Sequence, residues 1–165
     1  MLEILARHSN GLVASWDNLF VNVWTGQGTL DDVKQVRDQH KIMVDKHPDG
    51  ICVLTVIKSF SLTRPPEKKV LEAASKLFTE FREHVRASAQ LVQGEGVTKV
   101  VTYSFLSVMA VASKGVPNKV FHCLEEAITW LSTAEDAGNR LADAPNDAIH
   151  ALQELLQSPP AAPAE

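Results

Sequence analysis

One apolar run, Ile51-Cys52-Val53-Leu54-Thr55-Val56-Ile57, does more than any other stretch to limit what this chain can fold into. Polar and apolar positions do not alternate along it, so neither face can be left to water, and its length suits a strand better than a helix. A strand apolar on both faces belongs inside a sheet covered by helices on each side, which predicts an α/β domain. The run gives way at once to Lys58-Ser59-Phe60-Ser61-Leu62-Thr63-Arg64 and then Pro65-Pro66. That places a hydroxyl-rich loop at the carboxyl end of the central strand, where open α/β sheets present their binding groups.

The flanking segments fit that frame. Gly11–Trp16 and Leu19–Trp24 are β-prone runs on either side of Asp17-Asn18, a pair that tolerates positive φ, and they predict a hairpin. In the second run Leu19, Val21 and Val23 share a purely aliphatic face, which should lie on the core. Thr29, followed by Asp31 and Asp32, caps a predicted amphipathic helix over residues 29–46 that ends at His47-Pro48-Asp49-Gly50. His40 lies on its apolar face and reads as a packed, hydrogen-bonded histidine rather than a ligand.

Pro65 and Pro66 can open a second helix, whose stripe runs through Val70, Leu71, Ala74, Leu77, Phe78, Phe81 and Val85. A strand is expected over residues 88–93. Residues 97–112 are apolar almost all round and are read as a helix whose excess apolar surface, with Tyr103, Phe105 and Met109, is a candidate self-association surface. A short strand over 119–122 leads to a helix beginning at Leu124, with Cys123 as a poor cap. A last helix, read as separable, follows from Asp143 and carries Ile149, Leu152, Leu155 and Leu156 on one side. The expected organisation is an α/β domain over residues 1–137, a C-terminal helical extension over 138–157 and a disordered tail over 158–165.

Composition narrows the function. With 16 basic and 20 acidic residues, a net charge of −4 and no long basic run, the chain has no footprint for nucleic acid or an anionic membrane. Cys52 and Cys123 are expected to be free thiols, Met1–His8 lacks the basic start of a signal peptide, and no stretch is long enough to insert in a membrane. A cytoplasmic protein is expected.

The sequence carries no signature of catalysis or metal binding. No phosphate-cradling glycine pattern follows a strand, and the six histidines show no paired metal-ligand spacing. Neither Cys123 nor Ser104 has a sequence signature linking it to a base and an orienting acid, and Glu125 and Glu126 suit the dipole of their helix. No enzyme activity, cofactor or metal is expected.

The order of elements, together with His47-Pro48-Asp49-Gly50 before the central strand and Val120-Phe121-His122-Cys123-Leu124-Glu125-Glu126-Ala127-Ile128-Thr129-Trp130-Leu131 near the end, resembles the STAS or SpoIIAA-like family over roughly residues 10–135. The resemblance implies a bacterial protein with a small open mixed sheet, an N-terminal hairpin and helices packed against it. It also implies a non-catalytic regulatory module that binds protein partners; a homodimer is expected separately, from the apolar segment 97–112 and the separable helix 143–157. In such anti-sigma-factor antagonists a serine or threonine after the central strand is phosphorylated, which by position points to Ser59, Ser61 and Thr63 as phosphoacceptor or partner-contact residues. Where the family has Asp-Ser and a glycine-containing turn, this loop has Phe60, Leu62, Arg64 and two prolines. A small-molecule sensor is the alternative, with an apolar pocket supplied by Trp16, Phe20, Trp24, Phe60, Phe78 and Tyr103.

Overall fold

A computed structural model describes residues 1–58, 67–93, 107, 111–112, 114–134 and 140–157. Its strands are β1 (Leu2–His8), β2 (Gly11–Trp16), β3 (Leu19–Trp24), β4 (Ile51–Lys58), β5 (Val85–Gln93) and β6 (Asn118–Phe121). They lie side by side in chain order, β1-β2-β3-β4-β5-β6. The first three form an antiparallel meander, and β3 through β6 then pair in parallel. This is the predicted mixed α/β sheet with its N-terminal hairpin, extended by one strand. β1 escapes sequence reading because its burial does not alternate; pairing with β2 makes it a strand. Its register slips between Ile4 and Ala6, a bulge of the kind that blunts an edge strand.

The hairpin turn forms as expected, with Trp16 opposite Leu19 and Asp17 at φ 55°. It also touches the central strand. Asn18 donates from Nδ2 to the Gly50 carbonyl at 3.3 Å, and its own carbonyl accepts from the Cys52 amide at 3.1 Å.

Both faces of the sheet are covered. Helices α1 (Leu30–Lys46) and α2 (Lys68–Phe81) lie on one, where Val33, Val36, Met43, Val70, Leu77 and Phe81 pack on Phe20 and Val53. Helix α3 (Leu124–Ser132), the helical turn α4 (Arg140–Asp143) and helix α5 (Pro145–Gln157) cover the other, over Leu19, Val21, Leu54 and Leu91. The aliphatic face of β3 is therefore core, and so is its opposite face. Burying an aliphatic side chain such as Leu54 contributes about 1.5–3 kcal/mol, and every residue of β4 up to Ile57 is at most 2% exposed. The segment expected to form a C-terminal extension sends Leu141, Ala148 and Leu152 into the same cluster as Leu124 and Ile128.

Several boundaries move. Val85 belongs to β5, because a 3-10 turn at Arg82–His84 ends α2 and starts the strand three residues before the expected Ser88. Of the apolar segment 97–112 only Ser107, Val111 and Ala112 are described, and they are helical; Tyr103, Phe105 and Met109 lie outside the described residues, as does the tail 158–165. No described helix is long and apolar enough to cross a membrane.

Candidate functional site

Parallel strands that step across the sheet bring their carboxyl ends to one edge, and that edge is where side chains can gather for binding. Here it is formed by Trp24, Lys58, Gln93 and the residues just after Phe121. Ser59, Ser61 and Thr63 follow Lys58 directly but lie outside the described residues. The strand residue before them, Lys58, is described. Lys58 donates from Nζ to the carbonyl oxygen of Leu156 in the last turn of α5, and burial pushes its pKa down.

Beside this anchor, on the α3 side of the sheet, is a cleft of about 390 Å³ lined by Gln93, His122, Cys123, Glu125, Gln153 and Leu156, among others. Cys123 holds the cap position of α3 without capping it, as its chemistry predicts. Its thiol instead donates to Oε2 of Glu125 at 2.8 Å, while Gln153 donates from Nε2 to Oε1 at 2.7 Å. The Cys123 hydrogen bond, helped by the Glu125 backbone amide and Gln153, holds the Glu125 carboxyl below its ordinary range. The thiol and the Gln153 amide thus hold the Glu125 carboxylate from two sides, as a hydrogen-bonded polar surface in this cleft.

At the end of β3 a second polar cluster ties three segments together. Asp32, 1% exposed, forms a capping box with Thr29 and also accepts from Asn10 Nδ2 at 2.7 Å and from the Ser9 amide at 3.1 Å. His8 Nδ1 lies 3.3 Å from Asp32 Oδ1, and the His8 ring packs on Trp24 with centroids 4.8 Å apart. Burial lowers the His8 pKa despite the pull of Asp32. Burial alone would raise Asp32, yet hydrogen bonds from Asn10 and Thr29, with His8 nearby, bring it below the ordinary value. Asp32 was legible only as a helix-dipole carboxylate; its contacts with β1 and the β1–β2 turn are tertiary. Gly28 is needed here, since a Cβ would come within 2.7 Å of the Trp24 ring.

A third feature has no sequence signature. The parallel register sets Asn22 beside Thr55 and Thr55 beside Gln90, on the sheet face that α1 and α2 cover. All three are buried, at 8%, 2% and 0% exposed. Gln90 donates from Nε2 to Ser88 Oγ at 3.1 Å, but Oδ1 of Asn22 and Oε1 of Gln90 accept nothing. Buried polar atoms are nearly always paired, so these two acceptors are an exception.

His40 is buried as expected but is not hydrogen-bonded: its ring lies between Phe20 and Phe81, and both nitrogens are without partners. Cys52 and Cys123 are free thiols, Cys52 with its pKa pushed up by burial to about 11. Among the described residues no group of three or more His, Cys, Asp or Glu could hold a metal. Comparison of the chain with protein-family models, with curated proteins and with solved structures finds no match.

Proposed function

We propose that this chain is a non-catalytic regulatory module of STAS type that binds a protein partner through the carboxyl edge of its parallel strands. The observation that carries the reading is the anchored exit of β4. Lys58, which precedes Ser59 in the chain, is held by the last turn of α5 beside the cleft of Cys123, Glu125 and Gln153. A polar surface beside a strand end that hydroxyl-bearing residues follow in the chain suits recognition that added phosphate charge can switch. The order of strands and helices along the chain, with the sequence blocks 47–50 and 120–131, is what suggests this family.

The test is capture from the native host's lysate, followed by light scattering of the eluted complex. A partner should be enriched by the wild-type chain and lost with Glu125→Lys, which reverses charge on the exposed edge. A chain that runs as a monomer with nothing enriched over the control, or capture indifferent to Glu125→Lys, contradicts the proposal. The same measurement on the isolated chain tests homodimerisation through the surface that includes Val111, which is 77% exposed.

A second reading, small-molecule sensing, is favoured by the unpaired acceptors of Asn22 and Gln90 inside the sheet–helix layer. Native mass spectrometry of gently purified protein should then show a bound mass that Gln90→Leu removes; bare protein in every preparation opposes it.

A further inference from the structure

The opposite edge of the sheet, at the amino ends of β4 and β5, carries a larger cleft of about 960 Å³. It is lined by Arg82, Glu83, Val85, Arg86 and the connection Lys114–Pro117. Three cations from three different segments, a 3-10 turn, a strand and a loop, thus meet, among the described residues, a single lining carboxylate, Glu83, in a chain whose net charge is −4.

One of these cations is built into the fold. Arg86 donates from Nε at 2.7 Å, and again from Nη2, to the main-chain carbonyl of Asp49. Gly50 makes the approach feasible: it sits at φ +115°, and a Cβ there would fall 2.3 Å from Arg86 Nε. The His47-Pro48-Asp49-Gly50 turn therefore does more than end α1. It orients a guanidinium whose partner is a neutral carbonyl, leaving its charge uncompensated and three of its five N–H donors uncommitted. Among the described residues the ion pairs are those of His8, Arg37 and Lys68, so Arg82 and Lys114 also reach the cleft without a carboxylate partner.

We infer that this cleft is a binding site for a small phosphorylated molecule, with Arg86 as the oriented fork and Arg82 and Lys114 as flanking charges. A phosphoryl group suits it better than a carboxylate. Its several oxygens can meet cations arriving from several directions, and its double charge matches the excess of cations over Glu83. The volume lies within the range of small-molecule sites. The site lies at the other end of β5 from Gln93, so it stands or falls independently of partner binding at the carboxyl edge.

The test uses the full 15N-labelled chain titrated with inorganic pyrophosphate, with inorganic phosphate and acetate at matched ionic strength as separate arms. Saturable amide shifts are expected around residues 82–86 and 114–116, with pyrophosphate tighter than phosphate and acetate silent. Arg82→Ala with Lys114→Ala, both exposed positions, should weaken pyrophosphate at least about tenfold, since two charges leave the site. Lys68→Ala with Lys76→Ala removes the same charge from the cleft along α2 and should leave binding unchanged. Failure to saturate, acetate acting like phosphate, or equal weakening by both double variants would overturn the inference.

Discussion

Replacing His40 with phenylalanine should uncouple the stability of this protein from mild acid. His40 is 1% exposed, stacked on Phe81 at 4.6 Å and 9°, and faces Phe20 at 4.6 Å. Burial drives its pKa from 6.5 down to about 4, with Glu80 pulling it up and His84 down. The sign follows from which state takes the proton first. An unfolded histidine binds it near pH 6.5 while the folded one stays neutral, so His40 contributes fully above pH 6.5 and loses its contribution as pH falls towards 4. The gap corresponds to roughly 3 kcal/mol in full, of which about 2 kcal/mol is gone by pH 5. Phenylalanine keeps the aromatic packing and removes two buried, unpartnered nitrogens, so His40→Phe should be neutral or mildly stabilising at pH 7. Urea unfolding at pH 7 and pH 5 is the assay. Wild type should lose about 2 kcal/mol more than the variant between the two, because His8 and His47 titrate alike in both proteins. Equal losses would refute the reasoning.

Other substitutions probe the polar clusters and the turn. Gly50→Ala, which forces a Cβ onto Arg86 at a positive φ, should cost about 1–3 kcal/mol in urea unfolding, and a loss too small to measure would mean the turn relaxes freely. Asp32→Ala removes the acceptor shared by Ser9, Asn10 and Thr29 and should cost roughly 3 kcal/mol at pH 7. Because folding lowers the Asp32 pKa, its contribution is present above the ordinary carboxylate range and disappears as pH falls through the folded value; acid titration of wild type against the variant reads that difference. Gln90→Leu removes an unpaired acceptor together with the donor to Ser88 Oγ, effects of opposite sign, and should change stability by less than about 1 kcal/mol in either direction, whereas a loss above about 2 kcal/mol would show that Oε1 also has a partner.

What could be read from residues alone follows from how far each signal reaches along the chain. The unbroken apolar run of β4 announces burial on both faces, and Thr29 with Asp32 announces a helix start, because both signals are local. β1 was missed because an edge strand owes its shape to its neighbour, and the start of β5 was misplaced because Val85 continues the α2 stripe while already pairing with Ile51. The hydrogen bond between Cys123 and Glu125 lies within one helix start and could have been found from spacing. Gln153 on Glu125, Lys58 on Leu156 and Arg86 on Asp49 join residues 28, 98 and 37 positions apart, and no periodicity encodes them. The row Asn22, Thr55, Gln90 was hidden for a related reason. β3 and β4 each show one polar residue inside an apolar run and β5 shows several, and only the parallel register lines these three up.

The claim that partners dock at the carboxyl edge is tested most directly by hydrogen exchange of the chain alone and in the captured complex. The account predicts new protection at Lys58, Gln93, His122–Glu125 and Gln153–Gln157, with the amino-end residues Gly50 and Arg82–Arg86 unchanged. Protection confined to those amino-end residues, or to the edge strand β1, would contradict it.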